Sequence, residues 1–204
     1  MRVSAEVRWF WRDEPPGGLE AWFRDADAHG CPAGDEEARA DVYLRDPGQT
    51  ELGIKRRGGN EEVEVKALVS VIRDGVAAPP FVGPAETWTK VRARGLDFAA
   101  SVTTHKARRL RTFETGGAEP VEMRPGSPAP PVGCNVELTR VTVNGDVWWT
   151  LGFESFGPPR TLTDSLRATT ALLATRRPPR LGDGLQASYP AWLAQLGPAF
   201  HVPL

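Results

Sequence analysis

The chain has 204 residues, 40% of them hydrophobic and 25% charged, with 25 Lys and Arg against 26 Asp and Glu. That length suits one domain able to bury a sizeable core, and a net charge of −1 argues against a bulk nucleic-acid binder, which carries a strong basic excess. Two cysteines without metal-type spacing (Cys31 and Cys134), no apolar run of membrane length and no charged-then-apolar leader make a cytoplasmic protein the expectation.

Residues 3–11 (VSAEVRWFW) alternate in the period of a strand, with Ser4, Glu6 and Arg8 on one face and Val3, Ala5, Val7 and Trp9 on the other. Pro15-Pro16-Gly17-Gly18 ends it, and Leu19, Trp22, Phe23 and Ala26 recur at helical spacing up to His29-Gly30. His29 reads as a helix-end residue with no chemical role. Residues 31–40 are polar, and a second strand begins at Asp41 (DVYL). After a turn around Asp46-Pro47-Gly48 comes the most informative stretch, residues 52–69 (LGIKRRGGNEEVEVKALV). It predicts a hairpin around Gly58-Gly59-Asn60, with Lys55 and Arg57 sharing one face and Glu62, Glu64 and Lys66 sharing a face of the return strand. An organised charged face can be no more than the solvated side of an antiparallel sheet. Its recurrence elsewhere in the chain gives it more weight. Lys occurs only at positions 55, 66, 90 and 106, in a chain whose other 21 basic residues are Arg, and three of those four fall on the polar face of strand-like runs.

Residues 72–95 are broken by Pro79-Pro80 and Gly83-Pro84, and residues 86–91 (ETWTKV) are compatible with a helix start or a short strand. Residues 102–112 alternate again, with Thr104, Lys106 and Arg108 opposite His105, Arg109 and Arg111. The Gly- and Pro-rich residues 115–133 read as a loose surface connection. Residues 135–143 and 147–156 form a second hairpin around Asn144-Gly145-Asp146, with Asn135, Glu137 and Thr139 on one face of the first strand and Trp148, Thr150, Gly152 and Glu154 together on the second. A helix is predicted over 162–175 and a second, shorter one over 185–196, whose Tyr189, Trp192, Leu193 and Leu196 form a core-type stripe.

In this order the motifs resemble the CYTH-like, or triphosphate tunnel metalloenzyme, superfamily over roughly residues 3–156. The opening acidic-basic signature resembles Glu6-Val7-Arg8-Trp9-Phe10, the D-x-Y segment Asp41-Val42-Tyr43, the basic hairpin Leu52–Arg57 with Val63-Glu64-Val65-Lys66, the middle basic strand Lys106-Ala107-Arg108, and the late acidic strands Glu137 and Glu154. The resemblance implies an α+β fold: a single domain built on an antiparallel β-barrel (tunnel) of about eight strands over 3–156, with flanking helices and a C-terminal helical segment over 160–204. It also implies that Arg8, Lys55, Arg57, Lys66, Lys106 and Arg108 point inward and bind phosphate. Glu6, Glu137 and Glu154, with Glu64 as an extra, would hold Mg²⁺ or Mn²⁺ and carry catalysis, since hard divalent ions take oxygen ligands. The chain departs from the pattern at Ser4, Thr139 and Gly152, each standing where the family has an acid.

Three readings follow. The first is a metal-dependent phosphohydrolase acting on a triphosphate, with class IV adenylyl cyclase chemistry as a minor branch. The second is a module that binds a phosphorylated small molecule or inorganic polyphosphate without catalysis, motivated by the three missing acids. The third is an interaction protein whose seven Trp and whose Arg109, Arg111 and Arg140 serve a partner surface. No nucleic-acid or membrane partner is expected. His29, His105 and His201 lie in no triad spacing, and the chain has no G-x-S-x-G, P-loop or dinucleotide glycine pattern.

Overall fold

The structure, a computed structural model, describes residues 1–44, 46, 48–58, 60–95 and 100–196. The turns expected at residues 46–48 and 58–60 fall partly outside the described residues. So do the His29 side chain, His201 and the end of the expected C-terminal segment. No described helix is long and apolar enough to cross a membrane.

Eight long strands close on themselves: β1 (Arg2–Arg12), β2 (Glu37–Leu44), β3 (Leu52–Arg57), β4 (Val63–Ala78), β5 (Phe81–Ala93), β6 (Ser101–Glu114), β8 (Gly133–Val143) and β9 (Asp146–Phe156). Round the barrel the order is β1-β5-β4-β3-β2-β6-β8-β9, and β9 pairs back onto β1 from Ser4–Phe156 to Arg12–Trp148. All these pairings are antiparallel. Closure removes the edges that an open sheet would present. Two short strands hang on the outside, β7 (Val121–Glu122) on β6 and β10 (Leu185–Gln186) on β1.

The difficult stretch over residues 72–95 is the β4–β5 hairpin, strand except at the Pro79-Pro80 turn and at residues 94–95, with bulges between Leu68 and Ser70 and between Ile72 and Val76. The bulges shift the register and hide the period-2 signal. At the β8–β9 turn Asn144 and Gly145 have φ of 51° and 86°, the two left-handed residues that a tight hairpin of this hand needs.

Alternation sorts the strands into two cores. Outward residues Ala5, Val7, Trp9, Val136, Leu138, Leu151 and Phe153 are buried beneath α1 (Leu19–Arg24) and α3 (Leu162–Thr175), against Leu19, Phe23, Leu162, Leu166 and Leu173. A four-residue helix, α2 (Ala26–His29), continues from α1. The helix expected over 162–175 thus forms as read. The one expected over 185–196 is shorter: residues 185–186 add β10 to β1, and α4 (Tyr189–Gln195) starts only after Ser188, with Pro190 in its first turn.

That helix enters the barrel. Trp192 stacks on Phe10 with ring centroids 4.7 Å apart, Tyr189 stacks on Tyr43 at 5.7 Å, and Val102, Val141, Val143 and Leu193 complete a second, interior core. A methyl at Gly53 would lie 3.0 Å from the Pro190 ring, so the bare backbone on β3 makes room for the helix. The barrel is therefore a cup whose floor is α4.

Candidate functional site: a basic cup with an aromatic floor

Above that floor lies a cavity of about 1680 Å³ to which all eight barrel strands contribute. The inward positions follow from register. Glu6 on β1 faces Glu154 on β9 and Glu86 on β5. Arg8 faces Gly152, and Lys66 on β4 faces both Gly53 and Lys90. All nine expected site residues line this one cavity: Glu6, Arg8, Lys55, Arg57, Lys66, Lys106, Arg108, Glu137 and Glu154. Glu64 lines it too, as do Lys90, Arg92, Arg39 and Tyr189. Lys90 and Arg92 share the parity of Glu86 and Trp88. That signal is present in the sequence, but the prolines before it obscure it. Arg39 precedes the point where the second strand was expected to begin, and Tyr189 read simply as core. Arg8, Arg39, Lys55, Arg57, Lys66, Lys90, Arg92, Lys106 and Arg108 thus line the cavity from six strands, β1 to β6.

The charges form three groups. On one wall Glu6 accepts from Lys66 and Ser4 and lies 3.2 Å from Lys90, which also bonds Glu154. Burial would raise the Glu6 carboxyl, but Lys66, Lys90 and Arg8 outweigh it and hold the group well below the usual carboxylate range. Lys90 is raised, because Glu6 and Glu154 overcome its desolvation.

One strand further round, beyond β9, Glu137 accepts from Arg8 Nη1 at 3.1 Å and from Arg108 Nη1 at 3.2 Å, while Arg8 Nη1 also donates to Thr150 Oγ1 at 3.2 Å. Burial again opposes ionisation, yet Arg8, Lys106 and Arg108 keep Glu137 well below its ordinary value. Lys55 and Glu64 pair across β3 and β4 at 3.2 Å, with Arg57 4.0 Å from the same carboxylate at the more exposed rim.

The third group sits on the floor. Lys106 Nζ donates to Asp41 Oδ2 at 2.9 Å and to Tyr43 Oη at 2.8 Å, and it lies 3.9 Å from the centroid of the Tyr189 ring. It is almost fully buried, with Lys55 near, and these two effects outweigh Asp41 to push its ammonium down to about 7. Among the described residues the buried hydroxyls of Thr139 and Tyr189 have no hydrogen-bond partner.

The other expectations resolve as follows. His105 and Arg140 lie on the exposed outer surface. Arg109 bonds the Gly34 carbonyl and pairs with Glu36. Arg111, expected on a partner surface, is 3% exposed: it donates to the Phe23 and Cys31 carbonyls and pairs with Glu122 of β7. That clasp explains why residues 115–133 are no loose connection, since β7 pins them to β6 and Pro130 is buried. None of the seven Trp is exposed. Cys134 is buried, which pushes its thiol up to about 12.

The resemblance implies Mg²⁺ or Mn²⁺ on Glu6, Glu137 and Glu154, and the donors do not fit that role. Each carboxylate is already held by Lys or Arg, and Glu137 belongs to a different ion-pair group from Glu6 and Glu154. Among the described residues no group of three or more His, Cys, Asp or Glu side chains is arranged to hold a metal ion.

What the arrangement can do is hold an anion. Cations on several strands, fixed by short ion pairs in a recessed cavity, act with little screening from bulk salt. No protein-family model matches the chain and no curated protein matches it, so the reading of this cup rests on its own residues.

Proposed function

We propose that the cup binds a phosphorylated polyanion of the triphosphate or inorganic polyphosphate class. The observation that carries this reading is the convergence of Arg8, Lys55, Lys66, Lys90, Lys106 and Arg108, from five different strands, on one recessed cavity. Each of these cations is held in place by a carboxylate, and a ligand with several closely spaced phosphates offers them a line of further anions. Lys66, Lys90, Arg8, Lys55, Lys106 and Arg108 are the groups assigned to it, with Arg57 and Arg92 at the rim. Guanidinium groups suit paired contacts to phosphate oxygens, and ammonium groups act as point charges. The volume exceeds the roughly 300–1,000 Å³ of ordinary small-molecule pockets, which leaves room for an organic group or water beside the phosphates.

The test is thermal stability and titration calorimetry with inorganic tripolyphosphate, with orthophosphate as control. A ligand that binds only the folded chain raises its melting temperature by mass action. Stabilisation by tripolyphosphate and not by orthophosphate is expected. No response at millimolar tripolyphosphate would remove the reading. Phosphate release in Mn²⁺ that is lost in Glu154→Gln would replace it with the hydrolytic one.

A further inference from the structure

Gly152 stands where the pattern that the sequence resembles has an acid, and one group lies against it above all. A methyl placed on it would lie 2.8 Å from Arg8 Nη1 and closer still to the centre of the guanidinium. Only a residue without a side chain leaves space for Arg8, its cross-strand neighbour, to lie flat against β9. There Arg8 reaches across to Glu137 at 3.1 Å and to Thr150 at 3.2 Å, with its guanidinium carbon 4.9 Å from the centroid of the Tyr189 ring. Thr139, the second position where the resemblance expects an acid, is buried one register step along on β8 and faces Thr150. The two departures thus act together. Where carboxylates would have gathered, the wall is bare or carries hydroxyls, and a fixed cation fills the space.

We infer that Arg8, seated against Gly152, takes the place of a divalent ion beside Glu137, so that the cup binds its polyphosphate free of metal and Mg²⁺ opposes binding. This rests on the polyanion reading above. Mg²⁺ works against binding in two ways. It chelates the polyphosphate and reduces the charge that the cup recognises, and Glu6, Glu137 and Glu154, the carboxylates that would receive it, are each already held by Lys or Arg. Arg8 contributes a planar, permanently charged group, better matched to phosphate oxygens than a hydrated point charge.

Calorimetry with inorganic tripolyphosphate in EDTA and in excess Mg²⁺ decides the matter. Binding in EDTA, weakened about tenfold or more by Mg²⁺, is the expected result. Binding that requires Mg²⁺ or tightens with it overturns this inference and leaves the polyanion reading standing. Absence of binding in both conditions overturns the reading itself, and the inference with it. Two variants assign the effect to the seat. Gly152→Ala displaces the guanidinium and should weaken binding in EDTA about tenfold or more. Arg8→Met keeps the bulk and removes the charge, and should give a similar loss with a smaller difference between EDTA and Mg²⁺. If Arg8→Met melts cooperatively yet binds like the parent chain in both conditions, the assignment to Arg8 is wrong.

Discussion

The two ends of the barrel interior are built from the same strands and differ by a single step of two residues. On β1 the inward position passes from Arg8 to Phe10, on β2 from Asp41 to Tyr43, and on β8 from Thr139 to Val141. One end is filled by stacked rings around Trp192, while the other holds ion pairs around open space. Rings and aliphatic groups at the floor remove apolar surface from water and stabilise the fold directly. Buried ion pairs contribute little net stability, because desolvation offsets their attraction. Stability therefore gives no reason for the charged end to be charged; the proposed polyanion would supply one.

The largest expected effect tests the floor. Trp192→Ala removes a fully buried ring between Phe10, Trp148 and Tyr189 and should cost about 3–5 kcal/mol in denaturant unfolding. A loss below about 1 kcal/mol would show that α4 is not the floor.

Next comes the charged end. Glu6→Gln leaves Lys66 and Lys90 without their shared carboxylate, and should cost about 3 kcal/mol without ligand. Because the variant makes the cup more positive, tripolyphosphate should restore more stability to it than to the parent chain. Equal shifts in the two proteins would break the link between cup charge and binding.

The pH dependence should carry two signatures. Glu6 and Glu137 lie below the ordinary carboxyl value of 4.5 in the folded chain. The unfolded chain therefore takes up protons first as the pH falls through that value, and stability should drop below it. Lys106 has the opposite arrangement. Its ammonium is pushed down to about 7 from an ordinary 10.5, so between those values the unfolded chain holds the extra proton, and stability should rise as the pH climbs from about 7 towards 10.5. Lys106→Met should flatten that alkaline rise in a series of urea melts. A polyanion favours the charged ammonium, so binding near pH 8 should take up protons, measurable in buffers of different ionisation enthalpy.

The smallest effect lies outside the cup. Arg12 and Asp146 pair at 3.0 Å on the surface with both side chains about half exposed, and Arg12→Ala should cost less than about 1 kcal/mol. A larger loss would mean that exposed pairs matter here as much as enclosed ones.

Much of the barrel was legible before any coordinates. Period-2 alternation placed Glu6 with Arg8, Lys55 with Arg57, Lys106 with Arg108, and Glu137 with Thr139 on the faces that prove to be interior. The Asn144-Gly145 turn was legible for the same local reason, as was the α3 span. The β4–β5 hairpin was not, because its bulges shift the parity on which the reading depends. Arg111 misled because alternation says only that it lies opposite Lys106 and Arg108. It cannot say that Glu122 and two backbone carbonyls bury it there.

The sequence alone thus determined which side chains share a face, since that follows from the geometry of an extended chain. Only the tertiary structure decided which cation meets which carboxylate, because those partners lie far apart in the sequence. Glu6 and Lys66 come together through the β1-β5-β4 order, and Arg8 and Glu137 through the return of β9 to β1. It also decided that the barrel ends in a floor: Tyr189 and Trp192 look like any core stripe along the chain, and closure of the strands puts them beneath the charges.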